Sequence, residues 1–104
     1  MGEEKKVRVF VFGSNEAGKH TLGTAMTAMK SYGAVYGKGR GLQGRSYAIP
    51  VKDIFLRERR VDQVRKDVEV FLDFARRNEE IEFKVSKLGN GLSRIGGEEL
   101  TFIY

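Results

Sequence analysis

The chain has 104 residues, of which 40% are hydrophobic and 32% charged, so it has the size and composition of one globular domain. It contains no cysteine and one histidine, His20, which excludes disulfides and thiolate metal sites and argues against a histidine-based zinc site. No apolar run approaches the ~20 residues that cross a bilayer. We therefore expect a single cytoplasmic domain over residues 1–104, with no metal, no cofactor and no membrane contact. The net charge of +5 favours anionic partners.

The N-terminal third predicts a strand, a turn and a helix. Val7 to Phe12 is a run of β-branched and aromatic residues broken by one arginine, which is typical of a strand buried in a parallel sheet. A polar turn follows over residues 14–20, and apolar side chains at helical spacing predict a helix from about Gly23 to Tyr32. Gly33 fits a helix C-cap. This is the first half of a βαβ unit.

The middle of the chain is rich in glycine. Residues 34–45 interleave four glycines with Lys38, Arg40 and Arg45, a pattern that predicts neither a helix nor an ordinary strand. Residues 46–51 predict a short strand, whose Pro50 indicates a sheet edge or the exit from the sheet.

The remainder predicts one helix and one further strand. Residues 52–60 form a charged connection, and Arg57-Glu58-Arg59-Arg60 has the composition of a solvated helix start. Val61 to Arg77 has apolar residues at spacings of three and four, the strongest helix prediction in the chain. Ile81 to Leu88 alternates apolar and polar residues, which predicts a strand. The segment from Gly97 to Tyr104 fits a helix start, a short strand or a mixture of the two.

Two predicted strands, ending near Phe12 and Leu88, run directly into glycine-bearing loops. In an open α/β sheet the ligand crevice lies at the carboxyl ends of the strands. Glycine lets backbone amides approach a phosphate, and a following helix adds free amides and the positive end of its dipole. Gly18 and Gly23 fit that role, although glycines also serve tight turns alone. The spacing matches neither a P-loop nor a dinucleotide-binding fingerprint.

Three stretches resemble a small family of phage and bacterial proteins, which in turn resembles the macro domains that bind ADP-ribose. They are Phe-Val-Phe-Gly-Ser-Asn-Glu-Ala-Gly-Lys-His at 10–20, Tyr-Gly-Ala-Val-Tyr-Gly at 32–37 and Gly-Leu-Gln-Gly-Arg-Ser-Tyr-Ala-Ile-Pro at 41–50. The loop Gly89-Asn90-Gly91-Leu92, preceded by Lys87-Leu88, is similar to a glycine-loop signature of macro-type ADP-ribosyl hydrolases. The resemblance implies a macro-like, three-layer α/β fold with a small, mostly parallel sheet flanked by helices.

In macro domains, the loop before the first helix and the later glycine loop enclose the ribose and phosphates of the ligand. Together with residues singled out from the loops themselves, this gives the predicted ligand-binding set: Gly13, Ser14, Asn15, Gly18, His20, Gly23, Thr24, Gln43, Gly44, Gly89, Asn90, Gly91, Leu92 and Arg94. For His20 the alternative is a solvated loop residue, and for Asn15 it is a turn former or helix cap. Tyr32, Tyr36 and Tyr47 fit either base stacking or the core.

The chain departs from the family pattern at two places. Thr21 and Leu22 stand where the family has small residues, so they are expected to narrow the mouth of the site. The hydrolases use a lysine after the central strand, near which Lys52 lies, and an aspartate just past the glycine loop, where this chain has Ser93. Serine cannot act as a carboxylate base. Lys52 next to Asp53 also fits a surface ion pair.

These features predict a domain that binds an ADP-ribose-like or related phosphate-bearing nucleotide metabolite, and in a phage setting one that sequesters it. One alternative is a weak ADP-ribosyl hydrolase with Lys52 as its catalytic residue. Another is an accessory module that binds nucleic acid or protein through Lys38, Arg40 and Arg45. Because the chain is short for a macro domain, we expect a homo-oligomer that covers exposed sheet edges.

Overall fold

The computed structural model describes residues 7–86. In chain order, its elements are β1 (Val7–Asn15), α1 (Gly23–Ser31), β2 (Gly41–Gln43), β3 (Ser46–Lys52), α2 (Val61–Arg77) and β4 (Ile81–Val85). They form a small, compact α/β domain with a four-stranded sheet and two helices, so the predicted fold class is confirmed at this level. Neither helix of this part of the chain is long and apolar enough to cross a membrane.

The sheet has the strand order β2-β3-β1-β4. β1 lies at its centre and pairs in parallel with β3, where Phe10 is opposite Ser46, and with β4, where Val9 is opposite Phe83. β2 and β3 form an antiparallel hairpin, so the sheet is mixed. Because β1, β3 and β4 run in the same direction, their carboxyl ends lie along one edge of the sheet, which we call the carboxyl edge.

One face of the sheet packs against α2. Val9 and Val11 of β1 and Tyr47 and Ile49 of β3 form a cluster with three buried residues of the helix, Val64, Val68 and Phe71, and with Phe83 of β4. The rings of Tyr47, Phe71 and Phe83 are in contact, with centroids 4.9 and 5.1 Å from that of Phe71. The three-and-four spacing that predicted α2 therefore marks the stripe that the helix buries.

The alternate residues of the same strands pack against α1. Phe10 and Phe12 of β1 and Ala48 of β3 form a second cluster with Ala25, Ala28 and Ala34. Tyr32 stacks on Phe10 with 4.7 Å between the ring centroids. Small side chains on the helix and on β3 allow close approach of helix and sheet, and the two aromatic side chains of β1 fill the remaining space.

Several boundaries differ from the sequence predictions. β1 continues through Asn15 rather than ending near Phe12, because its pairing with β3 extends to Lys52. Gly41–Gln43, predicted to form no ordinary strand, is β2, since it pairs with residues 46–48 across the turn. β4 ends at Val85, and residues 87 and 88 of the predicted strand lie outside the described residues. Pro50 lies beyond the end of β2, where β3 has one neighbour, in agreement with the edge prediction.

The prediction of a solvated segment at 57–60 is wrong for Arg59. Its side chain is 8% exposed, and its guanidinium donates hydrogen bonds of 2.7 Å to the carbonyl of Pro50 and to Asp67 Oδ2. A charge buried to this degree requires such partners. They come from β3 and α2, so the local composition of the segment could not reveal them.

Candidate functional site at the carboxyl edge of the sheet

A cleft of about 200 Å³ opens at the carboxyl edge, between the ends of β1 and β3 and the N-terminus of α1. Its wall consists of strand-end, turn and helix-start residues: Gly13, Ser14, Asn15, Lys19, Thr21, Leu22, Ala25, Val51, Lys52 and Leu56. We refer to this feature as the edge cleft. Its position is the one that open α/β sheets use for ligands.

The turn after β1 is held by its own side chains. Asn15 Nδ2 donates to the carbonyl of Lys19 over 3.0 Å, and Asn15 Oδ1 accepts from the amide of Lys19 over 2.9 Å. Asn15 is thus a turn former as well as a cleft residue. Ser14 is buried, and its hydroxyl donates to the carbonyl of Gly39. These bonds fix where the turn places Lys19 on the cleft wall.

The glycine-rich loop packs directly on this turn. The amide of Gly37 donates to the carbonyl of Gly18 over 2.8 Å. A Cβ at Gly18, whose φ is +73°, would overlap the backbone of Gly37 and Lys38, and one at Gly39 would overlap the carbonyl oxygen of Asn15. Both glycines therefore allow the backbones of the two loops to contact each other. Gly18 does not line the edge cleft.

The N-terminus of α1 borders the cleft without a side-chain cap. The N-cap residue, Leu22, offers no hydrogen bond from its side chain, and the first turn contains no acidic residue. The first amides of a helix lack intrahelical partners, and the helix dipole places positive charge there. Lys19 and Lys52 are residues of the wall, and neither forms a salt bridge within residues 7–86. None of the ten lining residues is acidic.

His20 is a core residue, so the expectation of a solvated loop histidine is wrong. It is fully buried, and its ring packs edge-on against Phe12. Nε2 lies 3.0 Å from the carbonyl of Lys38 and 3.3 Å from Gln43 Oε1. Both partners are acceptors, so Nε2 carries the hydrogen and donates. Nδ1 is buried without a partner among the described residues.

Gln43, also predicted to bind ligand, is the centre of the same internal network. It is 3% exposed. Its Oε1 accepts from the amide of Val35 over 2.8 Å, and its Nε2 donates to the carbonyl of Lys38 over 3.0 Å. Gln43 and His20 thus bind the polypeptide of the glycine-rich loop and do not line the edge cleft.

Of the predicted site residues, the structure brings Gly13, Ser14, Asn15 and Lys52 together on the cleft wall. Gly23 and Thr24 begin α1 beside it. Gly44 lies away from it, in the turn between β2 and β3, against Gly33. Gly18, His20 and Gln43 pack inside the fold, as described above. The rest lie outside the described residues: Gly89, Asn90, Gly91, Leu92 and Arg94, together with Ser93.

The sequence analysis singled out some residues of the cleft wall and missed others. Thr21 and Leu22 line the cleft, and their narrowing of its mouth stays a prediction. Lys19, Ala25, Val51 and Leu56 line it without having been predicted. Lys19 lies in the polar turn predicted over residues 14–20, whereas nothing in the charged connection distinguished Leu56.

The ion pair expected between Lys52 and Asp53 is wrong. Asp53 pairs with Arg57, whose Nε is 3.3 Å from Asp53 Oδ2.

Two of the three residues proposed to bind nucleic acid have partners within the fold. The guanidinium of Arg40 donates hydrogen bonds of 2.7 and 3.1 Å to Asp67 and one of 3.4 Å to Glu16. Lys38 Nζ donates to the carbonyl of Leu42. Arg45 is exposed. Across residues 7–86, no group of three histidine or acidic side chains is placed to hold a metal ion.

Comparisons with known proteins return no match, either among protein-family models, among curated proteins or among solved structures. The resemblance to macro domains therefore stays a prediction from the sequence motifs.

Proposed function

We propose that the edge cleft binds the phosphate of a nucleotide-type metabolite related to ADP-ribose. The observation that carries this proposal is the meeting of an uncapped helix N-terminus and two lysines at the carboxyl edge of the sheet, in a cleft without acidic lining residues. Backbone amides at a helix N-terminus and the positive end of its dipole favour an anion.

The fold supports the same proposal. The two helices pack on alternate residues of β1, which fits a three-layer, macro-like arrangement. The end of β1 and the polar turn that follows it lie in a stretch that carries the motif resemblance, and they border the cleft through Ser14, Asn15 and Lys19. Its hydrogen bonds hold it in place before any ligand arrives, which lowers the entropy lost on binding.

The size of the cleft limits what it encloses. At about 200 Å³ it is smaller than the range of roughly 300–1,000 Å³ common for sites that bury a whole drug-sized ligand. A cleft of this size would enclose part of a nucleotide, and the rest of a dinucleotide-sized metabolite would extend outside the described wall.

Binding is favoured over hydrolysis. Lys52 lines the cleft, in keeping with a contact to the ligand, but no carboxylate of the described wall is available as a general base. The nucleic-acid alternative is weakened because Arg40 is held by Asp67 and Glu16, and Lys38 by the carbonyl of Leu42.

The test is calorimetric titration of the full chain with ADP-ribose, AMP and ribose 5-phosphate. We expect binding that weakens with added salt, and about tenfold weaker binding in Lys52→Ala, since a charge-assisted hydrogen bond contributes about 1.5 kcal/mol or more. Lys66→Ala, an exposed lysine of α2, is the matched control and should bind like the parent. No heat from any of the three ligands would refute the proposal.

Incubation with an ADP-ribosylated protein separates a binder from a hydrolase. We expect no release of ADP-ribose above background. Turnover that disappears in Lys52→Ala would instead establish the hydrolase alternative.

A further inference from the structure

The loop after β3 contains a hydrogen-bonded turn over residues 53–57, which we call the apical turn. The amide of Asp53 donates to the carbonyl of Arg57 over 2.8 Å, and Asp53 Oδ1 accepts from the amides of Phe55 and Arg57 over 2.8 and 2.9 Å. The hydrogen bond from the Arg57 amide is the main cause that lowers the pKa of Asp53 below its ordinary value. Asp53 therefore remains an anion that holds the turn together near neutral pH.

Within this turn, Leu56 has an unfavourable backbone conformation. Its φ is +66°, and every other positive φ in residues 7–86 belongs to a glycine. A branched side chain in this region is strained, and such strain persists where the surroundings over-determine it. Glycine or asparagine would adopt this conformation more readily, so the local fold of the turn does not require leucine here.

What leucine adds is apolar surface at the edge cleft. Leu56 lines the cleft and is 48% exposed, and Leu22, which also lines it, is 80% exposed. The wall of the cleft therefore contains both exposed leucines and two lysines. Such a wall is complementary to a ligand that carries an apolar, flat group close to its phosphate.

We infer that Leu56, with Leu22, is a specificity-determining residue that contacts the nucleobase of a mononucleotide whose phosphate lies at the lysines and the start of α1. This inference rests on the proposed function, because it takes the phosphate position from it. It deepens that function by naming the ligand class: a nucleoside monophosphate is preferred over a sugar phosphate that lacks a base.

The test compares AMP with ribose 5-phosphate, which share the phosphate and sugar and differ in the base. The parent chain should bind AMP about tenfold more tightly, the low end of the discrimination that apolar contacts supply. In Leu56→Asn, which suits the observed φ and removes the apolar surface, the preference should fall to about twofold or less while ribose 5-phosphate binds as before.

Ile54→Asn is the matched control, since Ile54 is exposed in the same turn and is not among the cleft residues; it should retain the preference. The melting temperature of Leu56→Asn should equal or exceed that of the parent, because asparagine relieves the backbone strain. Leu56→Gly provides a second variant with the same expectation for ligand preference.

The outcomes separate the two proposals. Equal binding of AMP and ribose 5-phosphate by the parent, or an unchanged preference in Leu56→Asn, overturns the role of Leu56 and leaves the phosphate site standing. Absence of binding by AMP and ribose 5-phosphate overturns the inference, and absence of binding by ADP-ribose as well overturns the phosphate site. The parent chain could also bind neither ligand but form a dimer that is lost in Leu56→Asn. This result would identify the apolar surface as a protein contact and would also overturn the inference.

Discussion

The side chains that pack on the two faces of the sheet differ in size. On the α2 face, large rings and branched side chains interlock: Phe71 contacts Tyr47 and Phe83, and Phe74 lies 5.3 Å from Tyr47 between ring centroids. On the α1 face, alanines bring helix and sheet together, and glycine loops contact each other through their backbones. Both faces bury apolar side chains and so contribute hydrophobic stabilisation, and the start of α1 also borders the edge cleft.

An ion network connects the two regions. Asp67 of α2 accepts from Arg59 over 2.7 Å and from Arg40 of the glycine-rich loop over 2.7 and 3.1 Å. Glu16, next to Asn15 of the cleft wall, lies 3.4 Å from Arg40 and 3.5 Å from Arg59. Through these ion pairs, α2 fixes the position of the glycine-rich loop and of the turn after β1 relative to the sheet.

The largest effect is expected from the α2 face. Phe71→Ala removes a fully buried ring that two other rings contact, and should lower the free energy of unfolding by about 3–5 kcal/mol. Urea denaturation measures it. Val70→Ala, at a 60% exposed position of the same helix, should change it by no more than about 0.5 kcal/mol. A similar loss in both variants would show that the rings do not anchor this face.

A smaller effect is expected where the loops pack on the α1 side. Gly18→Ala combines a strained φ with overlap on Gly37 and Lys38, and should destabilise by about 2 kcal/mol or more. Gly41→Ala, with φ +91° and no described atom within 4 Å of the added Cβ, should cost about 1 kcal/mol. The difference in melting temperature between the two variants measures the cost of the overlap with Gly37 and Lys38. Equal melting temperatures would contradict close packing of the two loops.

The smallest effect is expected from the network, and it depends on pH. Burial by itself would raise the pKa of Asp67, but hydrogen bonds from Arg40 and Arg59 outweigh it and lower the pKa below its ordinary value. A depressed carboxyl pKa stabilises the fold above the pKa of the unfolded state, and this is lost as the pH falls through the folded value. Asp67→Asn should therefore destabilise by about 1–2 kcal/mol at pH 7.

The difference from the parent should shrink toward pH 3, as followed by urea denaturation at each pH. Asp73→Asn, on the same helix with a 58% exposed carboxylate, is the control and should show little effect at any pH. A constant difference between Asp67→Asn and the parent across this range would rule out a role for the charge.

Much of the fold was predictable because its signals are local. α2 was predicted with its observed bounds, Val61–Arg77, since apolar residues recur at helical spacing from Val61 to Ala75. β1 was predicted in position but three residues short, because Gly13, Ser14 and Asn15 have low strand propensity and are recruited by pairing with β3. β2 was missed because a three-residue strand is defined by its partner and not by its own composition.

The candidate site was predicted in part. Ser14, Asn15 and Lys52 follow or end strands, so the rule for parallel sheets placed them at one edge. His20 and Gln43 are polar residues of the stretches that carry the family resemblance, and they were predicted to contact the ligand. Their actual partners, the backbone groups of Val35 and Lys38, became visible only in the folded chain.

The sequence by itself determined the α/β class, both helices, three of the four strands and the polar turn at the end of β1, because propensity and periodicity act over neighbouring residues. Tertiary structure alone decided which polar groups are buried, as for Arg59, Gln43 and His20, and which leucine adopts a strained conformation at the cleft. Those outcomes depend on hydrogen-bond and packing partners that are distant along the chain, and no local pattern records them.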